Sequence, residues 1–117
     1  MGQHTWFYKE KDKYLKMLEL YEKEEKAENY EDGYDELDAR AFYEESEKLR
    51  EENKADYHDC FRTSKRNEDR TYTDDVIFSK KECDKWLEDN KETVYYLNKE
   101  LLDKFWEEHP EGVIEFG

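Results

Sequence analysis

The chain is poor in residues that break regular structure, with one proline and four glycines among 117 residues. Together with 16% aromatic residues, that scarcity argues for a folded domain despite 46% charged residues, because disordered acidic tails carry few rings. The glycines are isolated, so no loop is built to cradle a phosphate. No apolar run approaches the roughly 18 residues of a membrane-spanning helix. The opening Met1-Gly2-Gln3-His4-Thr5-Trp6 lacks the basic-then-apolar plan of an export signal. Cysteine is limited to Cys60 and Cys83. In the reducing compartment expected without such a signal, a disulfide between them is disfavoured, and Cys83 reads as a small buried hydrophobe. Positive charge is also short: 20 Lys and Arg stand against 34 Asp and Glu, a net charge of -14. A chain of that sign is a poor sequence-independent binder of nucleic acid or of an anionic membrane.

What is present organises into one domain, 1–117, of the α+β class. His4-Thr5-Trp6-Phe7-Tyr8 is β-branched and aromatic and reads as a short strand. From Glu10 to Glu28 a helix is expected, with Tyr14, Leu18, Tyr21 and Glu25 as its stripe and Leu15 and Met17 widening it. Gly33 breaks the pattern, and Asp35 caps a second helix running to His58, with stripe Phe42, Ser46, Leu49, Asn53, Tyr57 and Cys60. The pair forms a long antiparallel helical hairpin over about 10–58, inserted between short strands. Val76-Ile77-Phe78 reads as a strand. Ser79-Lys80-Lys81-Glu82 reads as a capping box opening a helix that turns Cys83, Trp86 and Leu87 inward. A last helix carries Val94, Leu97, Leu101, Leu102, Phe105 and Trp106, although Thr93–Leu97 also suits a strand. Val113-Ile114-Glu115-Phe116 closes the chain as a strand. About three strands form a small antiparallel sheet against the last two of about four helices.

The charge is unevenly placed. Residues 9–56 carry 18 acids and 10 bases, residues 75–117 carry 12 and 6, and residues 57–74 carry 4 of each. Pairs such as Glu19–Lys23 and Glu22–Lys26 suit a solvated helix surface. A surplus of fourteen acids exceeds the net charge of about 2–8 that solubility asks of a small domain. It fits a negative surface offered to a basic groove. The hairpin tip is the candidate binding epitope: Tyr30 and Tyr34 flank Glu31-Asp32, and Asp35, Glu36 and Asp38 follow. Tyrosine anchors interfaces because it offers a large amphipathic area with few rotamers to freeze. The Arg62–Arg70 loop is a locally basic patch whose bases are expected to pair with neighbouring acids.

Chemistry motifs are weak. His4, His58, Asp59 and Cys60 are metal-capable types, but none shows the close paired spacing of a zinc site, and His58 and Cys60 point apart on a helix. A Cys nucleophile needs a base and an electropositive surround, and no motif supplies them. The expectation is a non-enzyme with no cofactor and no metal.

Four segments carry a resemblance: His4-Thr5-Trp6-Phe7-Tyr8-Lys9, His58-Asp59-Cys60-Phe61-Arg62-Thr63, Ser79-Lys80-Lys81-Glu82-Cys83 and Gly112-Val113-Ile114-Glu115-Phe116-Gly117. As a set they resemble small acidic proteins encoded by bacteriophages and prophages. The resemblance implies a protein acting in the cytoplasm of a bacterial host, of the kind that includes anti-CRISPR and other anti-defence factors. The function expected is a non-enzymatic inhibitor whose partner is a nucleic-acid-binding effector, a CRISPR-Cas effector among them, blocked through its basic groove. Two alternatives stand: a small homo-oligomeric phage assembly protein, dimeric through the hairpin's apolar stripe, and a metal-binding protein using His4, His58 and Cys60.

Overall fold

The computed structural model describes residues 5–57, 60–71 and 73–116. In chain order the elements are β1 (Thr5–Tyr8), α1 (Lys11–Glu28), a 3-10 turn (Glu31–Gly33), α2 (Glu36–Asn53), β2 (Lys54–Ala55), β3 (Phe61–Thr63), β4 (Val76–Ile77), α3 (Lys80–Asp89), β5 (Val94–Leu97), α4 (Lys99–Glu108) and β6 (Val113–Phe116). The class is α+β, as the residue patterns indicate. The chain divides into two compact units, one of residues 1–11 and 55–117 and the other of residues 12–54.

The first unit is organised around β6. Its sheet has the order β2-β1-β6-β4. β1 and β6 run antiparallel with Phe7 opposite Ile114 and Tyr8 opposite Val113, and β4 flanks β6 with Ile77 also opposite Ile114. Val113, Ile114 and Phe116 are buried, as a central strand requires. Cys83 on α3 and Leu102, Phe105 and Trp106 on α4 join Phe7, Phe61, Ile77 and Phe116 in one core. The i, i+3, i+4 spacing of Leu102, Phe105 and Trp106 puts all three on one face of α4. Phe105 is the hub: its ring meets Phe7 at 5.0 Å, Tyr57 at 5.2 Å and Trp106 at 4.9 Å, each edge-on. Burying each ring of this size is worth roughly 1.5–3 kcal/mol, and edge-to-face contact adds to that.

β3 and β5 form a separate two-stranded antiparallel sheet. Val94–Leu97 is therefore a strand and Thr93 belongs to the turn before it, so Val94 and Leu97 are not part of the last helix, which starts after Asn98 caps it by accepting from the Leu101 amide at 3.1 Å. The count of about three strands is low because β2 and β3 are only two and three residues long, too short for a periodicity to show, and β5 is mostly exposed with no alternation. At α3 the Ser79 hydroxyl accepts from the Glu82 amide at 3.1 Å as expected. The Glu82 carboxylate reaches one residue beyond the box, to the Phe78 amide at 2.8 Å.

The second unit is the helical pair itself. α1 and α2 have 18 residues each. α2 stops at Asn53, short of the expected His58, because Lys54 and Ala55 are taken up as β2. Along α2, Ser46 and Asn53 are buried, and Phe42 and Leu49 half-buried, on the expected stripe. Along α1 the buried face is Tyr14, Met17, Leu20 and Ala27, whereas Leu15 and Leu18 are 42% and 38% exposed. The face is turned away from the expected Tyr14–Leu18–Tyr21–Glu25 line. Acids and lysines surround α1 so evenly that the sparse apolar residues fit more than one face.

Candidate functional site

The tip between α1 and α2 is a strained turn. Tyr30 and Asp32 both take left-handed backbone conformations, at φ 57° and 55°, and Gly33 follows at φ 79°. For a residue as bulky as tyrosine this region is a true outlier, costing about 1–2 kcal/mol. The Tyr30 ring is nevertheless 63% exposed, so no burial of the side chain compensates for the backbone. Its hydroxyl donates to Glu36 Oε1 at 2.7 Å, and this bond, followed by the Glu36 charge, raises the phenol above its ordinary pKa.

The acids of the tip are largely engaged in building it. Asp35 Oδ1 accepts from the Leu37 amide at 2.9 Å and the Asp38 amide at 3.1 Å. Asp38 Oδ2 accepts in return from the Asp35 amide at 3.0 Å, closing a capping box. Asp32 pairs with Lys26 at 3.4 Å, and that contact raises the Lys26 ammonium pKa. Glu31 is exposed and makes no such contact among the described residues. Tyr34 turns inward and meets Phe42 edge-on at 5.2 Å. The segment thus exposes Tyr30, Glu31, Asp32, Asp35 and Glu36, with Asp35 and the half-buried Asp38 tied into the cap and Tyr34 half-buried against Phe42.

Two parts of this surface escaped the residue pattern. Lys26 belongs to the tip through Asp32, although in sequence it reads only as the partner of Glu22, to which it also pairs at 3.8 Å. Further along, Glu24 has a raised pKa, first from burial and then from the charges of Glu28 and Glu47. The Glu24–Glu28 spacing is legible as an i, i+4 repulsion, but Glu47 comes from the other helix. The expected Glu19–Lys23 pair forms at 3.4 Å.

The remaining candidates fall elsewhere. Cys60 and Cys83 are free thiols buried in the core of the first unit. Burial pushes the Cys83 thiol up to about 11, which keeps it protonated at neutral pH. His4, His58 and Asp59 lie outside the described residues. Among the described residues no three His, Cys, Asp or Glu side chains converge to hold a metal, and no helix is long and apolar enough to cross a membrane. In the basic loop, Lys65 pairs with Asp75 at 2.6 Å and lies 5.5 Å over the Trp86 ring, whose indole N–H donates to the same carboxylate at 2.8 Å. Arg62 and Arg66 are also engaged within the chain.

No protein-family model, curated protein or solved structure matches this chain.

Proposed function

We propose that the protein is a non-enzymatic inhibitor of the phage anti-defence kind, acting in a bacterial cytoplasm. It binds the basic nucleic-acid groove of a host defence protein, a CRISPR-Cas effector among the candidates, and competes with nucleic acid there. The observation that carries the reading is the hairpin tip: an exposed tyrosine held in a strained backbone, set in a segment whose net charge over residues 9–56 is -8. Strain of this kind persists where the surrounding structure has a reason to keep it, and partner-binding turns are such places. Acidic surface steers encounter with a basic groove and raises the on-rate at low salt.

Glu31→Lys combined with Tyr30→Ala tests the tip without touching the Asp35–Asp38 capping box. The tagged protein is used to capture partners from lysate of a defence-bearing bacterium at low and high salt, with RNA or DNA as competitor. A nucleic-acid-binding protein held at low salt, displaced by RNA or DNA and lost with the double variant is the expected result. Equal retention by wild type and variant overturns the assignment of the tip.

A second reading, a homo-oligomeric assembly protein, is favoured by the apolar residues left exposed on the helical pair: Leu15, Leu18, Leu37 and Tyr43. Light scattering across a concentration series separates the two, since assembly requires a stable dimer or larger species and the inhibitor does not.

A further inference from the structure

We propose that β5 is a docking edge for an extended Lys/Arg-rich segment of a partner protein. The segment adds as a third strand beside Val94–Leu97 and lays its cationic side chains along the acidic groove of α4. This surface lies in the first unit, separate from the hairpin tip in sequence.

β5 pairs with β3 on one side only. Among the described residues, Tyr95, Tyr96 and Leu97 make no backbone hydrogen bond beyond that pairing. Edge strands are normally blunted by shortness, a bulge, lysine, proline or an inward charge. β5 is short but its four residues Val-Tyr-Tyr-Leu carry no lysine, proline or inward charge, and Tyr95, Tyr96 and Leu97 are 69%, 45% and 42% exposed. A register shift opposite Arg62 and Thr63 leaves Tyr95 as the extra residue of β5, a bulge that bends the edge. That geometry admits one short strand and works against open-ended stacking.

Charge selects the occupant. An open groove of about 750 Å³ begins at Asn98, the residue directly after β5, and continues along α4. It is lined by Glu100, Asp103, Glu107 and Glu108 against a single base, Lys104. Asp103 is paired with Lys99 and Glu108 with Lys104 and the Tyr57 hydroxyl, which leaves Glu100 and Glu107 uncompensated among the described residues. Main-chain bonds to the edge supply affinity in strand addition, and flanking side chains supply specificity. Arginine or lysine beside Tyr95 and Tyr96 gains cation–π contact as well as the groove's carboxylates. A second copy of this chain is the wrong occupant, because it brings a net charge of -14 and the same acidic groove.

The probe is an acetylated octapeptide alternating arginine and valine, titrated calorimetrically into the full chain while amide hydrogen exchange is followed along residues 91–100. The controls are the same peptide N-methylated at alternate amides and a glutamate–valine version. The arginine peptide is expected to bind and to slow exchange at Tyr95 and Leu97. Binding is expected to weaken roughly tenfold on N-methylation, and again with Glu100→Lys/Glu107→Lys at unchanged circular dichroism. The hairpin variant Glu31→Lys is expected to bind the peptide as wild type does. The proposal is overturned by equal binding of the N-methylated peptide, which would reduce the effect to charge alone. Binding of the glutamate peptide, protection confined to the hairpin, or a concentration-dependent dimer with β5 amides already protected would overturn it equally.

Discussion

Gly112 sits in the turn between α4 and β6, where its amide donates to the His109 carbonyl at 2.9 Å. A Cβ there would lie 2.6 Å from Phe105 Cζ and 2.9 Å from that same carbonyl oxygen. The ring belongs to the hub of the core and the oxygen to the backbone, so neither yields cheaply. Gly112→Ala is expected to cost about 1–3 kcal/mol in urea unfolding; an unchanged midpoint would mean that Phe105 can move aside. At Gly33 the reason for glycine is different: nothing lies within 4 Å of its absent Cβ, and only the φ of +79° selects it. Both glycines look alike in the sequence as helix stops. That Gly112 is also a packing requirement depends on the placement of Phe105, which is seven positions away and on another element.

At the scale of the element, the hairpin balances local capping against charge repulsion. Asp35 satisfies two amides at the start of α2, so Asp35→Ala is expected to cost about 1 kcal/mol and to reduce helicity measured by circular dichroism. Glu24 acts in the opposite sense. Its folded-state pKa is raised, so the fold is favoured while the carboxyl is protonated and loses that contribution as pH rises through the shifted value. At neutral pH the carboxylate opposes folding, and Glu24→Gln is expected to raise stability by a few tenths of a kcal/mol. The gain should be present at pH 7 and disappear below the ordinary glutamate value of 4.5, as read by thermal melts at the two pH values. The helix caps were legible because they are hydrogen bonds between residues two to four apart. Ser79 and Asp35 could be named as caps from sequence for that reason. The end of α2 could not be placed, since Asn53 stops the helix where Lys54–Ala55 enters a sheet with β1, a pairing distant in sequence.

For the whole molecule, the two largest shifts in the alkaline range belong to Cys83 and Tyr57. The Cys83 thiol is pushed up from 9.0 to about 11 by burial. The Tyr57 phenol is raised from 10.0 to about 12, first by its hydrogen bond to Glu108, then by burial and the Glu108 charge. Both folded-state values exceed the unfolded ones, so each contribution is complete below the unfolded pKa and is lost as pH rises through the folded one. The melting temperature is expected to fall from about pH 9 and to continue falling to about pH 12. Cys83→Ala should flatten the lower part of that fall and Tyr57→Phe the upper part. A profile identical to wild type in both variants would place the alkaline limit elsewhere.

Composition and short-range pattern sufficed for the α+β class, the two long charged helices, the caps at Asp35 and Ser79, the inward face of α4 and the net charge of -14. Each follows from composition or from hydrogen bonds and side-chain periodicity within a turn or two of helix. Long-range packing selected the face on which α1 buries Leu20 and Ala27 and leaves Leu15 and Leu18 exposed. It also made Val94–Leu97 an edge strand, brought Glu47 near Glu24, and locked Asp35 and Asp38 into the turn while leaving Tyr30 outside. A short strand has no intrinsic signal until its partner is present. A helix with acids and lysines on every side has no preferred inner face until something packs against it, so those choices rest with residues far away in the chain.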